Sequence, residues 1–241
     1  MIKKFFVTLL ASATLFTSCN NDDDSKKEVT IEQRNSLDDQ AIDELLENYY
    51  FGLNGKITKF DTIKGNEDDS NKKLKDLVIK DPAGYYYAKN PNVTATGNKI
   101  KSNDESSILI SYDMRYFISN EDESIKTKVG QLYNYDSTID GKGTANKDPE
   151  FYFYKLTDSE ANKGVKREYK EFKNIIEGLK HFNATNTNGS DLYNFQGVII
   201  VPSRLAFGRS KYYTGTNISE NYLRDYSFIL NFELHNVSER N

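Results

Sequence analysis

Two histidines, one cysteine and seventeen tyrosines are the residues from which this chain could build chemistry. With only His181, His235 and Cys19, a Cys/His zinc centre cannot be assembled within one copy of the chain. A Ser-His-Asp arrangement is possible on numbers alone. No serine, however, stands in a G-x-S-x-G turn that would present it as a nucleophile, so both histidines are expected on ordinary surfaces. The acidic run Glu67-Asp68-Asp69 lacks the spacing and central glycine of a calcium loop and reads as solvated loop. Nothing in these residues calls for a metal or a cofactor. Many tyrosines fall in strand-like stretches, Tyr85-Tyr86-Tyr87 and Phe151-Tyr152-Phe153-Tyr154, which suit a half-exposed sheet. A glycan-binding surface would use the same aromatic residues.

Cys19 closes a distinct N-terminal segment. Met1, Ile2, Lys3 and Lys4 give a short basic start and Phe5 to Phe16 an almost unbroken apolar stretch, the layout of a secretory signal. A membrane-spanning helix needs about 20 apolar residues, and this run stops at Thr17, Ser18 and Cys19. Phe16-Thr17-Ser18-Cys19 resembles the lipobox of bacterial lipoproteins, although Phe16 is looser than the usual pattern. The resemblance implies a signal peptide over 1–18 and acylation of Cys19, and the chain has no second cysteine that would give Cys19 a disulfide role. Several acyl chains, at about 0.8 kcal/mol per buried methylene, anchor such a protein firmly. The charged stretch from Asn20 to Glu28 has no apolar periodicity and reads as a tether, taken to run over 19–35. Its acidic cluster resembles the surface-export signal of lipoproteins in the Bacteroidetes group, and a solvated spacer reads equally well. The expected location is the cell envelope, as an outer-membrane lipoprotein on the periplasmic or surface-exposed face.

Removing the signal leaves about 220 residues, enough for one domain with an extension or for two small ones. The net charge of -4 and the absence of a Lys/Arg block argue against nucleic acid as a partner. Ser36, with Asp39 three residues on, is placed to cap a helix. Leu37, Ala41, Leu45 and Tyr49, widened by Ile42 and Leu46, then predict an amphipathic helix from Leu37 to Tyr50. Ile57–Ile63 and Gly84–Lys89 read as short strands. Together, 36–104 has too little apolar surface to fold alone and reads as an N-terminal extension. From Ser107 the chain alternates, with Ile108, Ile110, Tyr112, Met114 and Tyr116 on one face, which predicts a half-buried strand. Further strands are predicted at Pro149–Lys155, Tyr193–Val201 and Tyr226–Val237, with one helix at Glu168–Phe182. Runs of strands with one interposed helix give an α+β domain over 105–241.

Several segments of that domain then resemble one family in order. Val201-Pro202-Ser203-Arg204-Leu205-Ala206-Phe207-Gly208 resembles the I-P-x-x-L-A-Y-G segment of FKBP-type peptidyl-prolyl isomerases. Tyr135-Asp136-Ser137-Thr138 resembles their F-D-S-S stretch, and Phe151 with Phe153 their F-x-F strand. Asn174 to Leu179 resembles V-I-x-G-W, followed by Gly189 at the family's spacing, and Phe228 to Leu234 resembles L-x-F-D-V-E-L. The resemblance implies a curved antiparallel sheet of five or six strands wrapped around the short helix, with an apolar pocket between them. It implies a catalytic set of Tyr135, Asp136, Ile176 and Phe207, with Ile176 offering its backbone N–H to a substrate carbonyl and Asp136 at the rim. Tyr112, Phe151, Ile175, Leu179 and Leu230 would complete the lining.

Three functions follow as expectations. The first is a peptidyl-prolyl isomerase acting on proline-containing segments of exported proteins. The second is a degenerate FKBP-like domain that only binds a peptide or partner, because Leu179 stands where the family has tryptophan and Phe207 where it has a hydroxyl-bearing tyrosine. The third is a surface adhesin or glycan-binding lipoprotein. Residues are also inserted between Tyr112 and Tyr135, before Pro202, and in the loop from Arg209 to Tyr222.

Overall fold

Thr30 starts the first helix. Its side chain accepts from the Gln33 N–H at 3.2 Å while the Gln33 side chain accepts from the Thr30 N–H at 2.9 Å, a reciprocal capping box. Helix α1 therefore runs Ile31–Asn48, beginning more than a turn before the predicted Leu37. Periodicity missed that turn because its buried residue is Arg34, a charge rather than part of the apolar stripe. Ser36 lies inside the helix, accepting from the Gln40 amide at 3.2 Å.

The computed structural model describes residues 28–61, 67–122, 124–139, 144–154, 157, 159, 171–189, 193–209 and 223–240. The expected signal peptide, Cys19, the tether up to 27, the first residues of the predicted 168–182 helix and the loop after Arg209 lie outside the described residues.

Strands β1 (Tyr49–Phe51) and β2 (Ile57–Lys59) form a hairpin. They are followed by β3 (Val78–Lys80), β4 (Tyr86–Lys89), β5 (Ser106–Phe117), β6 (Tyr133–Ser137) and β7 (Asn146–Lys147). Helix α2 (Lys173–Leu179) precedes β8 (Gly197–Val201) and β9 (Ser227–Glu239). The main sheet is antiparallel, in the order β3-β4-β8-β9-β5-β6, with β7 paired to β5 on the same edge as β6, at Leu109 and Ile110. The chain is thus α+β, a sheet-rich fold with helices packed on it. Strands β3 and β4 of the N-terminal extension are hydrogen-bonded into the same sheet through β8.

Both faces of the sheet are covered. On one, Ile108, Ile110, Tyr112 and Met114 of β5, Leu230 and Phe232 of β9, and Ile199 and Val201 of β8 pack with Ile175, Ile176 and Leu179 of α2. On the other, Ala41, Ile42, Leu45 and Leu46 of α1 pack on Ala88, Phe117, Val198, Ile200 and Ile229. Strand β5 is consequently buried on both sides rather than half-buried. Gly178 brings α2 close to the sheet, since a Cβ there would stand 2.9 Å from the Ile199 side chain.

Two further expectations need correction. Pro149–Tyr154 forms a turn, with the Tyr152 and Phe153 N–H groups both donating to the Pro149 carbonyl at 2.8 and 3.0 Å. Phe151 and Tyr152 are adjacent yet 3% and 0% exposed, a pattern that strand alternation on one buried face cannot give. The Tyr152 hydroxyl reaches the Ser106 carbonyl at 3.0 Å, while Phe153 lies under the Arg240 guanidinium. Nor is His235 a surface residue. It is 1% exposed, 2.8 Å from the Ser111 hydroxyl through Nε2 and 2.5 Å from the Thr187 hydroxyl through Nδ1. His181 is half-buried, within 3.0 Å of the Tyr85 hydroxyl and stacked on Tyr87.

Candidate functional site

The α2 face of β5 presents Tyr112, fully buried at mid-strand. A register shift between Met114 and Arg115 sets β6 so that Asp136 lies opposite Met114, and the Tyr112 hydroxyl donates to the Asp136 carboxylate. Burial first, and then the charge and hydrogen bond of Asp136, push the Tyr112 hydroxyl well above its ordinary pKa, so it stays a donor. Asp136 itself is exposed. The pair spans the boundary between core and solvent.

An aromatic cluster lies behind that boundary. The Tyr112 ring meets Phe151 edge-on at 5.1 Å, and Phe151 meets Phe172 at 6.3 Å. Phe172 stands 5.6 Å from Tyr135, 5.6 Å from Phe207 and 5.8 Å from Phe228, and Phe207 is 5.5 Å from Phe228. Most of these contacts are edge-to-face or tilted, the geometry aromatic quadrupoles favour. Ile175, Ile176 and Leu179 of α2 and Leu230 of β9 belong to the same core. The sequence-predicted residues Tyr112, Tyr135, Asp136, Phe151, Ile175, Ile176, Leu179, Phe207 and Leu230 are thus brought together in one region.

Local chain geometry explains the convergence. After β8, Pro202 leads into a 3₁₀ turn, Ser203–Leu205, and Gly208 at φ 53 lets its N–H return to the Ser203 carbonyl at 2.8 Å, which turns Phe207 inward. The Asn174 side chain donates to the Leu205 carbonyl at 2.7 Å, tying α2 to that turn. From the opposite face of the sheet, the buried Asp38 of α1 accepts from the Ser203 N–H at 3.2 Å, from the Ser203 hydroxyl and from Ser119 Oγ at 2.8 Å. Burial raises the Asp38 carboxyl above its usual range, against the pull of these hydrogen bonds and of Arg34. Arg34 in turn donates to the Ser119 carbonyl and hydroxyl at 3.0 and 2.9 Å.

One expectation fails here. The Ile176 N–H donates to the Phe172 carbonyl at 3.0 Å, so it closes the first turn of α2 and is not free for a substrate carbonyl. Two cluster members were also missed, Phe172 and Phe228. Both left a signal, since 172, 175, 176 and 179 follow one helical stripe and Phe228 alternates with Leu230, Phe232 and Leu234.

The cluster's interior is closed. Tyr112, Phe151, Phe172, Ile175, Leu179, Phe207 and Phe228 are all 0–4% exposed, whereas Asp136 is exposed and Tyr135 half-buried. A ligand ring entering from the Tyr135–Asp136 side has to displace a side chain, and Phe172 holds the centre. Such a site can exclude water from an apolar group and hold a polar group at its rim. Among the described residues, no three His, Cys, Asp or Glu side chains gather as a metal site.

No family model matches the chain, and no curated protein sequence matches it. Among solved structures, the chain is similar to a peptidyl-prolyl cis-trans isomerase from Pseudomonas syringae pv. tomato strain DC3000, at 10% identity over 88% of this chain and 98% of that one, with a TM-score of 0.40. It is also similar to FkpA from Escherichia coli, at 13% identity and a TM-score of 0.32, over 67% of this chain and 52% of that one, about half of that protein's length. A third similarity is to the N-terminal domain of FKBP42 from Arabidopsis thaliana, at 11% identity, 67% and 91% coverage and a TM-score of 0.37. At these identities and scores none of the three specifies a reaction for this chain.

Proposed function

We propose that this protein is a slow, FKBP-type peptidyl-prolyl isomerase that binds proline-containing segments of exported polypeptides at the Tyr112–Asp136 rim. The observation that carries the reading is the convergence of Tyr112, Tyr135, Asp136, Phe151, Leu179 and Phe207, taken from separate segments, into one aromatic cluster with a carboxylate at its edge. Rotation about an X-Pro bond must break amide resonance over a barrier near 20 kcal/mol, and unassisted it takes tens to hundreds of seconds. The twisted amide is less charge-separated than the planar one. A water-poor aromatic site therefore favours the twisted form over the ground state, which lowers the barrier without a nucleophile. Slowness follows from Phe172, whose ring must yield to a prolyl ring, and from the Ile176 N–H, which is engaged within α2.

That same engaged amide favours a second reading, a domain that binds proline segments without turning them over. The third expectation, a glycan platform of exposed tyrosines, finds less support, since Tyr133, at 40%, is the most exposed tyrosine among the described residues and the others are half-buried or buried. The proposed setting is the cell envelope, with the domain held to the outer membrane through acylated Cys19 and meeting polypeptides after export.

A protease-coupled isomerisation assay on the full chain tests the reading, with Asp136→Ala as control. A rate above buffer that falls severalfold in the variant supports catalysis. A rate equal to buffer, with a proline peptide still bound, selects the second reading.

A further inference from the structure

Three guanidinium groups converge on one carboxylate next to the aromatic cluster. Arg34, Arg209 and Arg224 place Nε at 3.9, 3.3 and 3.9 Å from the Asp225 carboxylate. None of the three buried Nε groups makes a hydrogen bond. Arg34, with a side chain 3% exposed, commits its terminal nitrogens to Ser119 and Glu121. Arg209 and Arg224 are different. Beyond Asp225, the carboxylate they share among the described residues is that of Glu28, which accepts from Arg224 and lies 3.7 Å from Arg209 Nη1.

Glu28 is a poor permanent partner for such a pair. Its side chain is 62% exposed, against 22% and 27% for the two arginines. It comes from the chain just before the Thr30 cap, and Arg209 also donates to the Val29 carbonyl at 2.6 Å. An ion pair with so exposed a member contributes about 0–1 kcal/mol, so a carboxylate delivered by another chain can replace it. Paired guanidinium forks suit a carboxylate better than any other common peptide group.

The pair and the aromatic cluster are built from the same two segments. Arg209 follows Phe207 and Gly208, and the Asp225 N–H donates to the Gly208 carbonyl at 2.8 Å. Leu223 is buried in the α2-face core, and Tyr226 meets Tyr116 edge-on at 5.0 Å. A polypeptide lying across the aromatic rim would bring its neighbouring residues within reach of these guanidinium groups.

We infer that Arg209 and Arg224 form a carboxylate subsite, occupied in cis by Glu28, that selects proline segments carrying an aspartate or glutamate within a few residues of the proline. The inference rests on the proline-binding reading for the position of the peptide, but the subsite can be tested separately. Four peptides in which Pro or Ala is combined with Glu or Gln two residues away are titrated against the full chain by calorimetry. The expected result is binding about fivefold tighter for Glu than for Gln in both the Pro and the Ala pair, lost in Arg224→Ala and in 0.5 M salt. Glu28→Gln, which changes only an exposed side chain, is expected to tighten the Glu peptides at least twofold and leave the Gln peptides unchanged. It keeps the test decisive if Arg224→Ala folds poorly. Equal binding of Glu and Gln peptides, or a Glu preference that neither variant moves, overturns the subsite. Equal binding of Pro and Ala peptides overturns the proline reading instead, and no binding by any of the four overturns both.

Discussion

Replacing Phe172 with alanine separates stability from function in opposite directions. The ring is 4% exposed and meets Tyr135, Phe151, Phe207 and Phe228 at 5.6, 6.3, 5.6 and 5.8 Å. Truncating a buried phenylalanine costs about 3–5 kcal/mol, as transfer free energy and cavity together. For a chain of this size the melting temperature falls on the order of 10 °C. The same truncation leaves a hole at the centre of the cluster, where a prolyl ring would otherwise have to push the phenylalanine aside. If binding to the native protein sacrifices even about 1.4 kcal/mol of Phe172 packing, the variant binds a proline peptide about tenfold more tightly. Scanning calorimetry reads the first effect, and peptide titration at 15–20 °C, where the variant remains folded, reads the second. A variant that loses stability and also loses affinity would show that Phe172 helps to hold the ligand, and the displacement argument would be wrong.

Other outcomes follow from single contacts. Thr30→Ala removes the side-chain half of the capping box at α1 and is expected to cost about 1 kcal/mol in denaturant titration. Gly178→Ala places a Cβ 2.9 Å from buried Ile199 carbons. It should lift α2 from β8 and destabilise by about 1–3 kcal/mol, with a loss of peptide affinity larger than that of Thr30→Ala. Tyr112→Phe deletes the hydrogen bond to Asp136; because that carboxylate is exposed, the expected stability loss is only about 1 kcal/mol. Burial pushes the Asp148 carboxyl up, but Arg240, the Ile108 N–H and the Ser107 hydroxyl outweigh it and hold the folded value below the ordinary one. The stability Asp148 contributes is therefore present above the unfolded carboxylate pKa of about 4 and is lost as pH falls through the lower folded value. Asp148→Asn, which tolerates the residue's φ of 49°, should cost about 1–2 kcal/mol at pH 7, a loss that shrinks progressively as pH falls below about 4.

What could be read from the residues depended on whether apolar spacing carried the information. The family resemblance put Ile175, Leu179 and Leu230 into one lining, and the observed core has them there; the stripe Ile175-Ile176-Leu179 and the alternation Leu230-Phe232-Leu234 fit the same faces. Phe172 and Phe228 belonged to the same two patterns. Polar burial was the main blind spot. Arg34 and Asp38 of α1 tie it through Ser119 and Ser203 to the site, yet in sequence both look like solvated charges. The two-sided burial of β5 was hidden for the same reason, because Ser111 and Asp113 alternate with its apolar residues although both are buried. Pro149–Tyr154 misled because aromatic content mimics strand propensity, whereas the Pro149 carbonyl gathers two N–H groups into a turn. The Ile176 amide could not be read at all: whether an N–H at a helix start is free depends on where the first turn closes, and here it closes on Phe172.

The most direct test of the central claim is prolyl cis-trans exchange in a labelled proline peptide, followed by two-dimensional NMR exchange spectroscopy in the presence of the full chain. The prediction is an exchange rate that rises in proportion to protein concentration, rises further with Phe172→Ala, and falls with Asp136→Ala. An exchange rate indistinguishable from that of free peptide, with the peptide visibly bound at Tyr112, Tyr135 and Phe207, would contradict catalysis.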